Sequence, residues 1–170
     1  MSRAIRPIRI EGDAAYVTLT KGYEAIIDAA DVPLVEGKNW HADAKRRENT
    51  VYARTRARKG SAKKVWMHRV IMDDPDGFQV DHIDGNGLNN CRNNLRKATN
   101  AQNARNSCTP RNNTSGFKGV TWHKLSSKWC AKIEVNYVSK HLGLFDTPEA
   151  AHSAYVAASE KLHGEFGRVA

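Results

Sequence analysis

The stretch from Phe78 to Arg96 leaves the chain few ways to fold. A short apolar run, Phe78-Gln79-Val80-Asp81-His82-Ile83, stops on an Asp-His pair. A Gly/Asn-rich loop follows, Asp84-Gly85-Asn86-Gly87-Leu88-Asn89-Asn90, and the chain returns through Asn93-Asn94-Leu95-Arg96. Thr99-x-x-Gln102 then has the form of a capping box, which predicts a helix capped by Thr99, with Asn103 and Asn106 on one face. The expected order is strand, loop, strand, helix. A carboxylate beside an imidazole, with amides returning from later elements, supplies hard oxygen donors for a cation and a group that takes protons near neutrality. One geometric demand follows. Neighbours on a regular strand face opposite sides, so Asp81 and His82 serve one site only if the strand ends or twists there.

The 170 residues suffice for one ordinary domain or two small ones. No apolar run approaches the ~18 residues that span a bilayer. Met1-Ser2-Arg3-Ala4-Ile5-Arg6 starts basic but no apolar segment follows, so a secretory signal is not expected. A soluble, intracellular protein is the expectation. Cys91, Cys108 and Cys130 are far apart, with no Cys-x-x-Cys pair. That argues against a disulfide framework or a zinc ribbon and leaves idle thiols. The net charge of +9 is uneven. Residues 1–66 carry 14 Lys/Arg against 8 Asp/Glu, residues 67–110 carry 5 against 5, and residues 111–170 carry 8 against 5. Basic flanks around a balanced centre suit a polyanion gripped on both sides of a cation-holding site; a merely soluble basic surface is the plainer reading.

Residues 1–64 read as short strands and turns, a β-rich extension. Ala15–Thr20 alternates, Tyr23–Ile27 follows a Lys21-Gly22 turn, and Asp31–Gly37 has room for one helical turn. Thr50–Arg58 alternates strictly, placing Tyr52, Arg54, Arg56 and Arg58 on one face; Lys63 and Lys64 extend the basic patch. Such a ribbon can track phosphates, or it can be an edge strand protected by charge. Val65–Ile71 reads as a further strand carrying His68, a structural histidine or a phosphate contact. Residues 108–115 are polar and aperiodic, a linker. From Gly116 three strands are expected, around Gly119–His123, Lys128–Val135 and Lys140–Phe145. Thr147-Pro148-Glu149 starts a helix in which Ala151, Ala154, Tyr155, Ala158 and Leu162 form one stripe, with Gly164 as C-cap. The fold class expected is α+β: a β-rich extension, a strand–loop–strand–helix core over 65–107, and a three-stranded antiparallel sheet packed on one helix over 116–170.

From Met67-His68-Arg69 through Asp81-His82-Ile83-Asp84-Gly85-Asn86 and Asn93-Asn94-Leu95-Arg96 to Gln102-Asn103-Ala104-Arg105-Asn106, the centre resembles the phage-type HNH homing endonucleases. The spacings fit too, twelve residues from His82 to Asn94 and nine from Asn94 to Asn103. The last histidine of the pattern is Asn103 here, a His-Asn-Asn variant. The resemblance implies a ββα-metal core around one divalent cation, Mg²⁺ or Mn²⁺. In it Asp81 and Asn103 would be metal ligands, His82 the general base and Asn94 the residue that orients the His82 ring. It also implies double-stranded DNA as partner, a monomer nicking one strand per active site, and a phage-encoded protein.

Residues 116–170 resemble the Apetala-two/ethylene-response-factor DNA-binding domain, through Gly119-Val120-x-Trp122, Lys128-Trp129-x-Ala131-x-Ile133 and Leu142-Gly143-x-Phe145-Asp146-Thr147-x-Glu149-Ala150-Ala151. The positions matching its groove-facing side chains are Thr121, His123, Lys132, Glu134, Ser139 and His141. With Arg54, Arg56, Arg58, Lys63, Lys64, His68, Arg69 and Arg105 they make up the expected DNA contacts. The competing reading is a DNA-binding regulator with a spent nuclease core; the intact set Asp81, His82, Asn94 and Asn103 favours the enzyme.

Overall fold

Alternating apolar residues near the N-terminus build a meander. In the computed structural model, which describes residues 4–44, 50–57, 61–106, 109 and 113–169, β1 (Ile8–Glu11), β2 (Ala14–Thr18) and β3 (Glu24–Asp28) form one antiparallel sheet in that order. Ala15 lies opposite Ile27 and Val17 opposite Ala25. All four are buried, so one face is apolar while β1 and the opposite face meet water. The helical turn expected near Asp31 is α1 (Val32–Val35), with Pro33 in its first turn, where a missing N–H is no loss.

A second sheet runs β4 (His41–Ala44), β5 (Val51–Arg56), β6 (Lys64–Trp66). Ala53 and Thr55 of β5 point inward, and the arginines alternate with them. The strand expected through Val65–Ile71 stops at Trp66, and Met67–Ile71 is a helix, α2. Met67 and Ile71, four apart, are both fully buried, which a helix achieves on one face and a strand does not. β7 (Gln79–His82) and β8 (Leu95–Ala98) form a separate antiparallel ribbon.

No structural boundary falls near residue 64. Val17, Leu19, Ile27, Val35 and Trp40 share one core with Met67, Ile71, Val80 and Leu95. A three-stranded sheet has too little area to cover its own apolar face, and packing on the neighbouring elements supplies the missing cover. Trp40 is 1% exposed, and its indole N–H finds the Val35 carbonyl at 2.8 Å. The chain divides into two compact units, Met1–Thr99 and Asn100–Ala170.

The second unit opens with α3 (Asn100–Arg105). β9 (Val120–His123), β10 (Lys128–Val135) and β11 (Val138–Phe145) form its sheet, with β10 central, and α4 (Pro148–His163) packs on it. The Thr147 hydroxyl accepts from Ala150 N–H at 3.2 Å, the expected N-cap. The buried line of α4 differs from the expected stripe: it is Ala151, Tyr155, Ser159 and His163, whereas Leu162 is 36% exposed. The His163 ring bonds the Glu134 carbonyl at 2.9 Å, which draws this i, i+4 row onto β10. Gly119 takes a φ of 74°, and a Cβ there would lie 2.1 Å from the Tyr155 ring, so only glycine lets that ring close on the sheet. No helix among the described residues is long and apolar enough to cross a membrane.

Candidate active site

β7 ends at His82 because the chain turns there. Gly85 N–H donates to the His82 carbonyl at 2.9 Å, with Gly85 at a φ of 72°. The ribbon register sets Asp81 opposite Arg96 and His82 opposite Leu95. Asp81 and His82 are both buried. A carboxylate so placed needs a partner. Arg96 Nε donates to Asp81 Oδ2 at 2.9 Å, and its Nη2 lies 2.8 Å from the same oxygen.

The His82 ring has a different partner. Its Nε2 lies 3.2 Å from Asn90 Oδ1. Asn90 is 0% exposed, and its Nδ2 donates to the Leu88 carbonyl at 3.1 Å, which turns the amide oxygen toward the ring. An acceptor on Nε2 calls for a proton there, so the neutral ring carries its basic lone pair on Nδ1. The family pattern points to Asn94 for the orienting role; the amide oxygen that lies against the ring here is that of Asn90. Asn94 closes the loop instead. Its Oδ1 accepts from Asp84 N–H at 3.0 Å, and its Nδ2 donates to Asp84 Oδ1 at 2.9 Å and to the Asn89 carbonyl at 2.8 Å. The only sequence signal for Asn90 is its place as the second of two asparagines at the end of the loop.

An aromatic cluster surrounds the imidazole. Tyr52 lies 5.7 Å from it between ring centroids, and His68 meets it edge-on at 5.0 Å. His68 stacks on Trp66 at 6.2 Å. Gly87 seals this side of the loop: a Cβ there would lie 2.5 Å from the Tyr52 ring and 2.6 Å from the Val51 carbonyl. Burial holds His82 below the ordinary imidazole range, against the upward pull of the Asn90 bond and of the Asp84 and Asp81 carboxylates. His68 is pushed down to about 3, by burial first and then by His82 and Arg69. Both rings are therefore neutral at pH 7. His68 can reach a phosphate as a hydrogen-bond donor but not as a cation.

This carries a pH dependence. The unfolded chain protonates His68 near its ordinary value of 6.5, the folded chain only near 3. The depressed folded value means that stability is fully present above about pH 6.5 and is lost as pH falls toward 3. We expect the first unit to lose roughly 2–3 kcal/mol through this ring between pH 7 and pH 4. Urea denaturation at the two pH values checks it. His68→Phe, which keeps a ring in the cluster, should flatten the difference, and equal slopes for parent and variant would remove His68 as the cause.

The expected DNA contacts have varied surroundings. Arg54 Nε donates to Asp43 Oδ2 at 2.8 Å and Lys64 Nζ reaches the same oxygen at 3.2 Å, so one carboxylate holds both cations. Arg56 and Lys63 are exposed, and Arg58 lies outside the described residues. Arg69 is turned back on its own chain. It pairs with Asp74 and donates to the Phe78 and Pro75 carbonyls at 3.1 and 3.3 Å, stapling the turn before β7. In the second unit Arg105 donates to Asn136 Oδ1 at 3.1 Å. Thr121, Lys132, Glu134 and His141 are exposed, with Lys132 directly opposite His141. His123 is half-buried, its Nδ1 3.0 Å from Ser126 Oγ. Asn103 is half-buried on α3. Burial and the Asp28 carboxylate push the Cys91 thiol up to about 11, which keeps it an idle thiol at neutral pH.

Comparison with known proteins assigns this geometry. The HNH endonuclease family matches residues 65–105, the span from β6 to the end of α3. Protein 3.8 of Escherichia phage T7 is 38% identical over 94 residues, which cover 55% of this chain and 77% of that protein. An uncharacterized HNH endonuclease of Acanthamoeba polyphaga mimivirus is 39% identical over 110 residues, 61% of this chain and 56% of that protein's length. No solved structure matches the chain. The chain carries an HNH endonuclease domain over residues 65–105 and is a DNA endonuclease.

Enzymes of this family are generally metal-dependent. Among the described residues no group of three His, Cys, Asp or Glu side chains forms a ready-made metal cage. The donor chemistry nonetheless fits a hard divalent ion, which accepts one or two protein oxygens and takes water and phosphate oxygens for the rest. Asp81 is the buried carboxylate beside His82, and a cation there has to share it with Arg96 or displace the guanidinium.

Proposed function

We propose that the chain is a site-recognising endonuclease of the homing type, hydrolysing one phosphodiester per active site with His82 as general base. The observation that carries this reading is the His82 ring, buried at the end of β7 beside Asp81 with Nε2 on Asn90 Oδ1. A ring held in that tautomer offers Nδ1 to a water molecule. The water gives up its proton to Nδ1 as its oxygen attacks phosphorus. Asn90 keeps the ring from rotating, and Asn94 keeps the loop closed. Asp81 offers a hard oxygen to Mg²⁺ or Mn²⁺, and the family pattern adds Asn103 as the second protein ligand. When bound, the cation polarises the scissile phosphate and stabilises the departing 3′ oxygen.

β7 and β8 supply the strands of a ββα-metal core in this reading. The exposed Arg56 and Lys63 of the first unit and the Apetala-two-like sheet of the second supply further DNA contacts in this reading. One active site per chain predicts one strand nicked per binding event, and cutting both strands would need a dimer or a second visit. The test is a supercoiled plasmid carrying the natural target. Nicked circles should form first with Mg²⁺ or Mn²⁺ and vanish in EDTA. Cutting that survives EDTA would remove the metal from the scheme, and linear DNA as the first product would overturn one strand per active site.

The grip has its own test. Arg56→Ala combined with Lys63→Ala should weaken binding to all sequences alike and lower the salt slope by about 1–2. Arg54→Ala should lower it less, because Asp43 already neutralises that guanidinium. An unchanged slope in the double variant would return this sheet to a solvated surface.

A further inference from the structure

We infer that Asp31 and Arg92 are positioning residues for the His82 imidazole, and that the edge of the N-terminal sheet is the anchor through which they act. The inference rests on the reading of His82 as general base. The loop that carries Asn90 is rich in glycine and asparagine and has few apolar side chains to fix it. Something else must hold the amide still on the ring.

Four attachments do so within five residues. Ile26 N–H donates to the Leu88 carbonyl at 2.9 Å, and Asn90 N–H donates to the Ile26 carbonyl at 2.8 Å. Asn89 thereby forms a parallel bridge with Ile26, so the loop runs along the free edge of β3. Just beyond, Arg92 N–H donates to Asp28 Oδ2 at 2.8 Å. The Arg92 guanidinium forks onto Asp31, Nε to Oδ2 at 2.9 Å and Nη2 to Oδ1 at 2.7 Å. The Asp31 side chain is 5% exposed, that of Arg92 52%. A bidentate fork fixes direction as well as distance. Asn90 is thus pinned on both sides by a sheet more than sixty residues earlier in the chain, and its side chain passes that placement to His82 Nε2. Neither Asp31 nor Arg92 lies in the site itself. The N-terminal extension therefore does more than add a basic surface: it splints the catalytic loop.

The experiment uses the full chain and two readouts. Long-range ¹H–¹⁵N correlation, assigned with His82→Gln, reports which nitrogen of the His82 ring is protonated. Single-turnover cleavage and DNA affinity report function. Arg92→Gln removes the fork at a half-exposed position, Arg92→Lys keeps the charge without the fork, and Asp31→Asn removes the charge from the other end. The parent should show one Nε2–H tautomer. Arg92→Gln and Asp31→Asn should show a mixture, with the cleavage rate roughly 10- to 100-fold lower and DNA affinity unchanged. Arg92→Lys should fall between. A single unchanged tautomer in folded Arg92→Gln overturns the proposal, whatever happens to cleavage. Cleavage that falls only in step with DNA affinity or with the folded fraction overturns it as well. If the tautomer loosens as expected while the parent cuts no DNA under any cation, the splint stands and the general-base reading of His82 falls.

Discussion

His82→Ala should lower the single-turnover rate of DNA cleavage by roughly 10²- to 10⁴-fold at saturating divalent cation, with DNA affinity close to that of the parent. The size follows from what the ring does. A positioned base removes a proton as the water attacks, and without it hydroxide from bulk solution must serve. Binding should hold, because the ring is buried among Tyr52, His68 and Asn90 and offers little surface to DNA. Asn90→Ala should show a smaller loss of the same kind, since the imidazole remains but one buried N–H is left without its acceptor, a penalty of about 1–3 kcal/mol. If His82→Ala cuts at the parental rate, the base lies elsewhere.

The parts of this site that the sequence exposes are those fixed by local pattern. An apolar run that ends on Asp81-His82 and is followed by glycines already implies a strand that stops and turns, and Gly85 does turn it. Thr147 and Pro148 announce α4 in the same local way. What is not legible depends on distant partners. Val65–Ile71 is a short apolar run that serves equally as strand or helix, and the pocket awaiting Met67 and Ile71 decides for helix. Asn90 looks like one more loop asparagine until the Leu88 and Ile26 carbonyls and the His82 ring engage it. The bonds from Arg69 to the Pro75 and Phe78 carbonyls are equally invisible in the sequence. Basic composition marks the N-terminal strands as a surface for DNA, yet composition is blind to Asp28 and Asp31, which tie those strands to the loop. A homing endonuclease pattern gives residue types and spacings. It does not say which of several amides reaches the ring, because that turns on ångström-scale placement of the loop.

The second large effect concerns the ion pair under the site. Arg96→Met should destabilise the first unit by about 3–5 kcal/mol, because it leaves the buried Asp81 carboxylate without its guanidinium in a place that water reaches poorly. Methionine is close in volume to the aliphatic part of arginine, so the loss is electrostatic rather than a cavity. Amide exchange in β7 and β8 reports it, free of the second unit's own unfolding. Adding Asp81→Asn to Arg96→Met should recover much of the stability, since neither partner is then charged. The double variant should remain inactive, because the carboxylate proposed to hold the cation is gone. Divalent cation separates structure from function in the single variant. An ion that binds only the folded form stabilises it by about 2.7 kcal/mol at one hundred times its dissociation constant. In the parent that ion competes with Arg96 for the Asp81 carboxylate; in Arg96→Met that competitor is gone. Mg²⁺ or Mn²⁺ should therefore slow exchange in β7 and β8 more in Arg96→Met than in the parent, and not at all in the double variant. Equal protection in all three would show that Asp81 holds no cation, and the metal would then need another carboxylate.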